Sequence, residues 1–170
     1  REGEIAEAAM FRKGMALRLN GNLEAARSVF GEMIAAKPEG TYADNAHFEL
    51  GMAAYHEKAL QTSLTHFSSV TDLFPGSDVL PDAWFMKGET YLALQQPSAA
   101  AAAFASAASV ENIAQDVLSK SLFRQGFALY QSEQYAAAIV VLKNFLQKFP
   151  GDSRKNEALL WLGESYFKNA

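Results

Sequence analysis

Apolar residues return every three or four positions in nine successive stretches, broken by short clusters of Asn, Gly, Pro and Asp. The pattern predicts helices over 4–19, 22–36, 42–57, 59–74, 80–94, 97–110, 116–131, 134–149 and 153–168. Turns are expected at Asn20-Gly21, Pro38-Glu39-Gly40, Pro75-Gly76-Ser77 and Pro150-Gly151-Asp152. Pro97 and Ser98 suit the start of a helix. The Ala-rich run from Ala99 to Ala108 reads as an ordinary helix with Phe104 as its anchor, because Ala is the strongest helix former and permits close packing.

The stretches repeat. Gly14, Gly51, Gly88, Gly126 and Gly163 are spaced by 37, 37, 38 and 37 residues. Each Gly sits inside an apolar helical pattern and, except for Gly163, is followed by a second one. Three of the four complete units end in Pro, at Pro38, Pro75 and Pro150, and the third, ending near Asn112, does not. A Gly in mid-helix costs about 1 kcal/mol of helix propensity. In return it lets a paired helix approach closely, and Ala or Ser at the matching site of the second helix does the same. Pro closes the second helix, because it has no N–H to donate and steers the residue before it away from helix.

The unit resembles the tetratricopeptide repeat, whose pattern runs W-x₂-L-G-x₂-Y, A-x₃-F, P. The third unit carries Trp84, Gly88, Tyr91, Ala100 and Phe104. The first has Gly14, Leu17, Ala26, Phe30 and Pro38. The second has Leu50, Gly51, Ser63, Phe67 and Pro75. In the fourth stand Gly126, Leu129, Ala138, Leu142 and Pro150, and Leu159, Leu162, Gly163 and Tyr166 open a fifth. Lys13, Lys87 and Gln125 depart from the pattern, standing where the family usually places Leu before the Gly. The resemblance implies an all-α fold, a right-handed α-solenoid of about four and a half repeats. As a single domain over 1–170, its repeats run approximately 7–40, 44–77, 81–114 and 119–152, with a partial repeat at 156–170.

Each first helix carries a further stripe. It reads Ala8, Phe11, Met15, Arg18 in unit one; Asn45, Phe48, Met52, Tyr55 in unit two; Asp82, Phe85, Glu89, Leu92 in unit three; and Lys120, Phe123, Phe127, Tyr130 in unit four. Spacing shows only that these residues share a helix face. The resemblance implies that this face lines a concave groove where peptides dock. The candidate partner-binding residues are therefore Phe11, Met15, Phe48, Met52, Tyr55, Phe85, Glu89, Leu92, Lys120, Phe123, Arg124, Phe127 and Tyr130. Aromatic and Met anchors suit an apolar peptide or helix. A competing reading makes Phe48, Phe85 and Phe123 plain core, wedged between neighbouring first helices. Another lets the protein's own terminal segment fill the groove. Chaperone co-factors of this family grip acidic C-termini with Lys, Asn, Asn, Lys and Arg. Only Lys120 and Arg124 match that set, and Phe48, Met52 and Met86 replace the polar members, so this activity is not expected. Lys120 and Arg124 remain either an anion-attracting pair or a solvated basic face.

Charge and chemistry narrow the reading further. The 170 residues carry a net charge of −4, against the basic surplus of a nucleic-acid binder. The 12% of aromatic residues is far too many for a disordered chain. No apolar run is long enough to span a membrane. Cysteine is absent, which excludes disulfides and thiolate zinc sites. His47, His56 and His66 show no metal-ligand spacing along the chain and are expected to be packing or surface histidines. No nucleophile elbow or phosphate loop appears, and Glu89 and Glu164, two repeats apart, are too distant to act as a pair. The expectation is a non-enzymatic adaptor with no cofactor and no metal, whose partner is a protein or peptide.

A narrower likeness rests on the linker Phe74-Pro75-Gly76-Ser77, the following Ala83-Trp84-Phe85, and Phe149-Pro150-Gly151-Asp152 leading to Trp161 and Gly163-Glu164-Ser165-Tyr166. This style is similar to bacterial cell-envelope tetratricopeptide proteins, such as the lipoprotein of the β-barrel assembly machinery and the periplasmic partner of the Tol-Pal system. It implies a periplasmic or outer-membrane-associated adaptor, with a cytoplasmic location as the alternative. The chain begins Arg1-Glu2-Gly3, without Met or a signal pattern, and reads as a piece of a longer protein. A self-assembling scaffold and a regulatory domain of a larger protein are the other functions kept open.

Overall fold

A computed structural model describes residues 2–170, the side chain of Glu2 excepted. The described residues form nine helices and no strand: α1 (Glu2–Leu19), α2 (Leu23–Ala36), α3 (Ala43–His56), α4 (Leu60–Leu73), α5 (Leu80–Ala93), α6 (Pro97–Ser109), α7 (Gln115–Gln131), α8 (Tyr135–Lys148) and α9 (Lys155–Lys168). Their ends fall within two residues of the sequence-based expectation, and the fold is all-α as expected. The chain divides into two compact units, one up to Ala83 and the other Trp84–Ala170, with the boundary inside α5.

Odd-numbered helices are the first helices of the repeats, and α2, α4, α6 and α8 are the second. Within each hairpin one contact recurs. The mid-helix Gly lies against the residue sixteen positions later: Phe30, Phe67, Phe104 or Leu142. A Cβ on Gly88 would stand 2.6 Å from Phe104, and one on Gly126 would stand 2.5 Å from Leu142. The large side chain therefore occupies the space a Cβ would need. Ala26, Ser63, Ala100 and Ala138, four positions before each anchor, are all buried. The Ser63 hydroxyl donates to the Gly51 carbonyl at 3.0 Å, so the one polar member of this set is satisfied.

The turn inside each hairpin is also constant. Asn22, Ala59, Gln96 and Gln134 donate their N–H to carbonyls five residues back, at Leu17, Ala54, Tyr91 and Leu129. This 6→1 bond needs a left-handed residue just before it. Gly21 fills that place in the first hairpin at φ 78°, whereas Lys58 (63°), Gln95 (58°) and Glu133 (63°) fill it in the others. Only the first turn has the residue that adopts this conformation without steric cost.

Polar side chains tie first helices to the loops that follow their hairpins. Glu7, buried on α1, accepts from the Tyr42 N–H at 2.8 Å and pairs with Lys37 at 3.7 Å. In the second unit Asp152, in the loop before α9, accepts from Ser119 of α7 and is paired with Arg154 at 2.6 Å. The Arg154 hydrogen bonds hold the Asp152 carboxyl far below the usual carboxylate range. Partial burial opposes this, and the Ser119 hydroxyl adds to it. Lys87, standing where Leu is usual, is buried and lays its Nζ 4.6 Å from the Trp84 ring centroid.

Candidate functional site

The predicted stripe does not behave as one surface. Its ring three positions before each Gly packs back onto its own hairpin: Phe11 on Phe30 (5.9 Å between centroids), Phe48 on Phe67 (5.7 Å), Phe85 on Phe104 (5.4 Å) and Phe123 on Phe145 (5.7 Å). Phe123 is only 4% exposed and lies in the core. Phe11 also stacks on Tyr42 at 5.1 Å, and with Met15 it flanks the cluster of Ala26, Phe30, Met33, Ala46 and Leu50. The aromatic ring of this position thus spends at least one face on its own hairpin.

In the first unit, Phe48 and Met52 line a cavity of about 530 Å³ between α1, α2 and α3. Its walls are apolar, from Leu23, Ala26, Phe30, Leu50 and Ala53, while Arg18, Arg27, Glu49, His56 and Glu57 bring charge and polarity to it. Arg18 pairs with Glu49 at 3.0 Å, and Arg27 pairs with Glu57. Burial pushes the Glu49 carboxyl up, and the Arg18 guanidinium opposes that rise. Arg27 Nε is buried without a hydrogen-bond partner. Tyr55, half-buried one turn after Met52, faces His56 edge-on at 6.1 Å. Two further depressions, around Lys37–Thr41 and along α4, have no aromatic floor.

In the second unit the same helix positions hold different chemistry. Arg124 grips Glu89 through two hydrogen bonds, Nε to Oε1 at 2.5 Å and Nη2 to Oε2 at 2.7 Å. Its guanidinium also lies 5.4 Å from the Phe127 ring. Arg124 is therefore committed to an internal fork-to-fork pair. Lys120 Nζ sits 4.8 Å from the Phe85 ring. Leu92 packs against the cluster around Phe104 and Leu129. Phe127 and Tyr130 lie on Trp161 of α9, at 5.1 and 4.9 Å, and Tyr130 also meets Tyr135 at 5.7 Å.

Trp161 was not among the expected site residues, and neither were Arg18, Arg27, Glu49 or Glu57. A register signal existed for some of them. Glu49, Arg124 and Trp161 all stand two positions before their Gly. In each case that position meets the preceding first helix one or four positions after its Gly: Arg18, Glu89, or Phe127 and Tyr130. Arg27 and Glu57 lie on no such stripe, because they belong to α2 and to the turn after α3.

Among the described residues, no cluster of three or more His, Cys, Asp or Glu could hold a metal ion. Among the described residues, no helix is long and apolar enough to cross a membrane.

Comparison with known proteins agrees with this geometry. One tetratricopeptide-repeat family model matches residues 8–39 and 120–152, and a second matches 81–112. No curated protein sequence matches the chain. Among solved structures, YrrB, described as a TPR protein with an unusual peptide-binding site, superposes with a TM-score of 0.75 at 17% identity, covering 94% of this chain and 76% of YrrB. A structure of MamA gives a TM-score of 0.72 at 15% identity over 95% of this chain and 91% of its own. Another of MamA gives 0.66 at 14% identity over 92% and 94%. Such low identities speak for the fold alone. With family models matching more than half of its length, this chain belongs to the tetratricopeptide-repeat proteins.

Proposed function

We propose that the protein is a non-enzymatic adaptor that anchors an apolar side chain of a protein or peptide partner in the cavity bounded by Phe48 and Met52. The observation that carries this reading is the cavity itself: about 530 Å³ with an apolar wall and charged residues among its lining. That combination of greasy pocket and few polar groups is what side-chain anchoring requires. YrrB's described peptide-binding site lends analogy to the reading. The aromatic cluster of Phe127, Tyr130 and Trp161 is a second apolar surface, in the other unit.

Selection from a random peptide library tests it. Selected peptides should share an apolar anchor and lose at least about tenfold in affinity on Ala53→Arg, a cost of 1.4 kcal/mol or more. This variant fills the cavity without removing a core ring, and its melting curve should stay cooperative. Peptides that bind wild type and Ala53→Arg equally would move the site elsewhere.

Placement in a bacterial envelope belongs to the same proposal and is supported by the Phe74–Ser77 and Phe149–Asp152 linker style. Fractionation of cells expressing the full-length protein tests it, and recovery in the cytoplasm alone would contradict it. One observation favours a self-assembling scaffold as the second reading. On α9, Leu159, Leu160, Tyr166 and Phe167 are 47–77% exposed, and nothing lies within 4 Å of where a Gly163 Cβ would stand. A second copy covering this face would appear as concentration-dependent association of the full-length chain, lost on Leu160→Glu with Phe167→Glu.

A further inference from the structure

One exchange in the repeat register has no packing reason. Four positions before the Gly and fifteen after it, the hairpins hold Met10 and Val29, Trp84 and Ala103, and Leu122 and Val141. The second hairpin alone holds two histidines there, His47 on α3 and His66 on α4. Both are half-buried, and Phe74 lies 6.5 Å from the His47 ring. Their Nδ1 atoms face each other at 3.0 Å, with ring centroids 5.3 Å apart. That is one N–H···N hydrogen bond, in which one Nδ1 carries the hydrogen and the other accepts it. An apolar pair would serve the packing at lower cost, since polar groups lose hydration on burial.

The bond tolerates only one charge state well. A proton added to either ring puts a positive charge on a half-buried imidazole. A second proton leaves two N–H donors and two like charges face to face. We propose that the His47–His66 pair is an acid-sensitive latch, closing the second hairpin while both rings are neutral and loosening α4 from α3 as they take up protons. The adjoining residues carry the effect onward. Phe48 follows His47, Phe67 follows His66, and these two rings pack at 5.7 Å. Phe48 is also a wall of the cavity. Control of partner binding by the latch rests on the adaptor reading above, whereas the latch itself does not.

The surrounding charges leave the pair to set its own response. Burial lowers His47 to about 4, His66 lowers it further, and Asp44 on the same helix opposes. Burial lowers His66 as well. Asp44 is itself engaged, its Oδ1 accepting the Asn45 backbone N–H at 2.7 Å. Asp78, in the loop after α4, takes the Asn45 side-chain amide at 3.4 Å. The other charged group of α4, Asp72, accepts from Thr71, and Glu49 of α3 pairs with Arg18. From α2, Arg27 is held by Glu24 and Glu57, and Glu32 accepts from Ser28. The opened hairpin therefore binds more protons than the closed one below about pH 6.5. Closure is fully favoured above that value and weakens as pH falls toward the lower folded values.

Amide hydrogen exchange followed by nuclear magnetic resonance, corrected for the intrinsic pH dependence of exchange, tests this. Between pH 7.5 and 5 the opening constant at Phe67 and Val70 of α4 should rise about 30-fold from His47 alone. Phe30 and Met33, buried at the matching places of α2, should not follow. His66→Val, which restores the residue of two sister hairpins, should abolish the rise. Should that variant fail to fold, ring-nitrogen titration of the wild type decides instead, with both His47 and His66 expected to protonate below the ordinary value of about 6.5. No rise at α4, an equal rise at α2, a rise that survives in His66→Val, or ordinary titration of both rings would each overturn the proposal. None of these readouts uses a peptide, so they stand or fall apart from the adaptor reading.

Discussion

The interior of each hairpin and the seam between successive first helices follow different rules. Inside the hairpins, Gly meets a large apolar residue sixteen positions on, with a buried Ala or Ser between, in all four complete repeats. Along the seams within each unit the chemistry changes each time: Arg18 with Glu49, Glu89 with Arg124, and Phe127 and Tyr130 with Trp161. The constant contacts are those without which the hairpin cannot close. The changing ones tolerate ionic or aromatic content equally, because they lie half in solvent and need only complementary partners. The proposed adaptor role places partner specificity on the seams and stability in the hairpins.

The strongest way to break this comparison is to remove a hairpin anchor. Phe67→Ala should cost about 3–5 kcal/mol, since the ring is fully buried against Gly51. Urea denaturation would show it, and a loss under 1 kcal/mol would mean the Gly–Phe contact does not organise the hairpin. Overpacking the same contact should cost less. Gly88→Ala pushes a Cβ to 2.6 Å from Phe104 and should destabilise by about 1–3 kcal/mol. Gly163→Ala sharpens the contrast. The same residue in the same register meets nothing within 4 Å, so the substitution should stabilise α9 by up to about 1 kcal/mol. Equal signs for Gly88→Ala and Gly163→Ala would contradict the account.

A pH series examines the loop tie beside Ser119. The Asp152 carboxyl is held low in the folded protein, mainly by Arg154. Its contribution is therefore present above the unfolded value of about 3.9 and is lost as pH falls through the lower folded value. Asp152→Asn should lower the urea midpoint at neutral pH and flatten the decline below about pH 4. An acid limb with the wild-type slope would show that other carboxylates govern it. The smallest effect concerns the hairpin turns. Replacing left-handed Lys58, Gln95 or Glu133 with the Gly that the first turn carries should stabilise each by about 1 kcal/mol, as steric relief outweighs added chain entropy. A loss of stability in all three would show that the entropy of the unfolded chain governs.

Much of the fold was legible in the residues because its punctuation is local. Pro38, Pro75 and Pro150 stop helices by covalent structure, and the Gly spacing fixes the register. The turn at Asn20-Gly21 could be read, whereas those at Lys58, Gln95 and Glu133 could not, because the hydrogen bonds there impose a conformation that the residue types do not announce. The candidate site was legible only as a stripe. Helical spacing placed Phe48 and Met52 on one face but could not show that Phe123 turns into the core, since that depends on Phe145 across the hairpin. Nor could it show that Arg124 is spent on Glu89, thirty-five residues away. The cavity needed Arg27 and Glu57 as well, and these meet only once the repeats stack.

The claim that a partner engages the changing surface rather than the hairpin interior is tested most directly by methyl nuclear magnetic resonance. A selected peptide would be titrated into protein labelled at Met and Ala methyls. The account predicts that Met52 and Ala53, which line the cavity, shift and saturate together, while buried Met33 stays in place. Perturbations confined to α4 or α9, with Met52 and Ala53 unmoved, would contradict it.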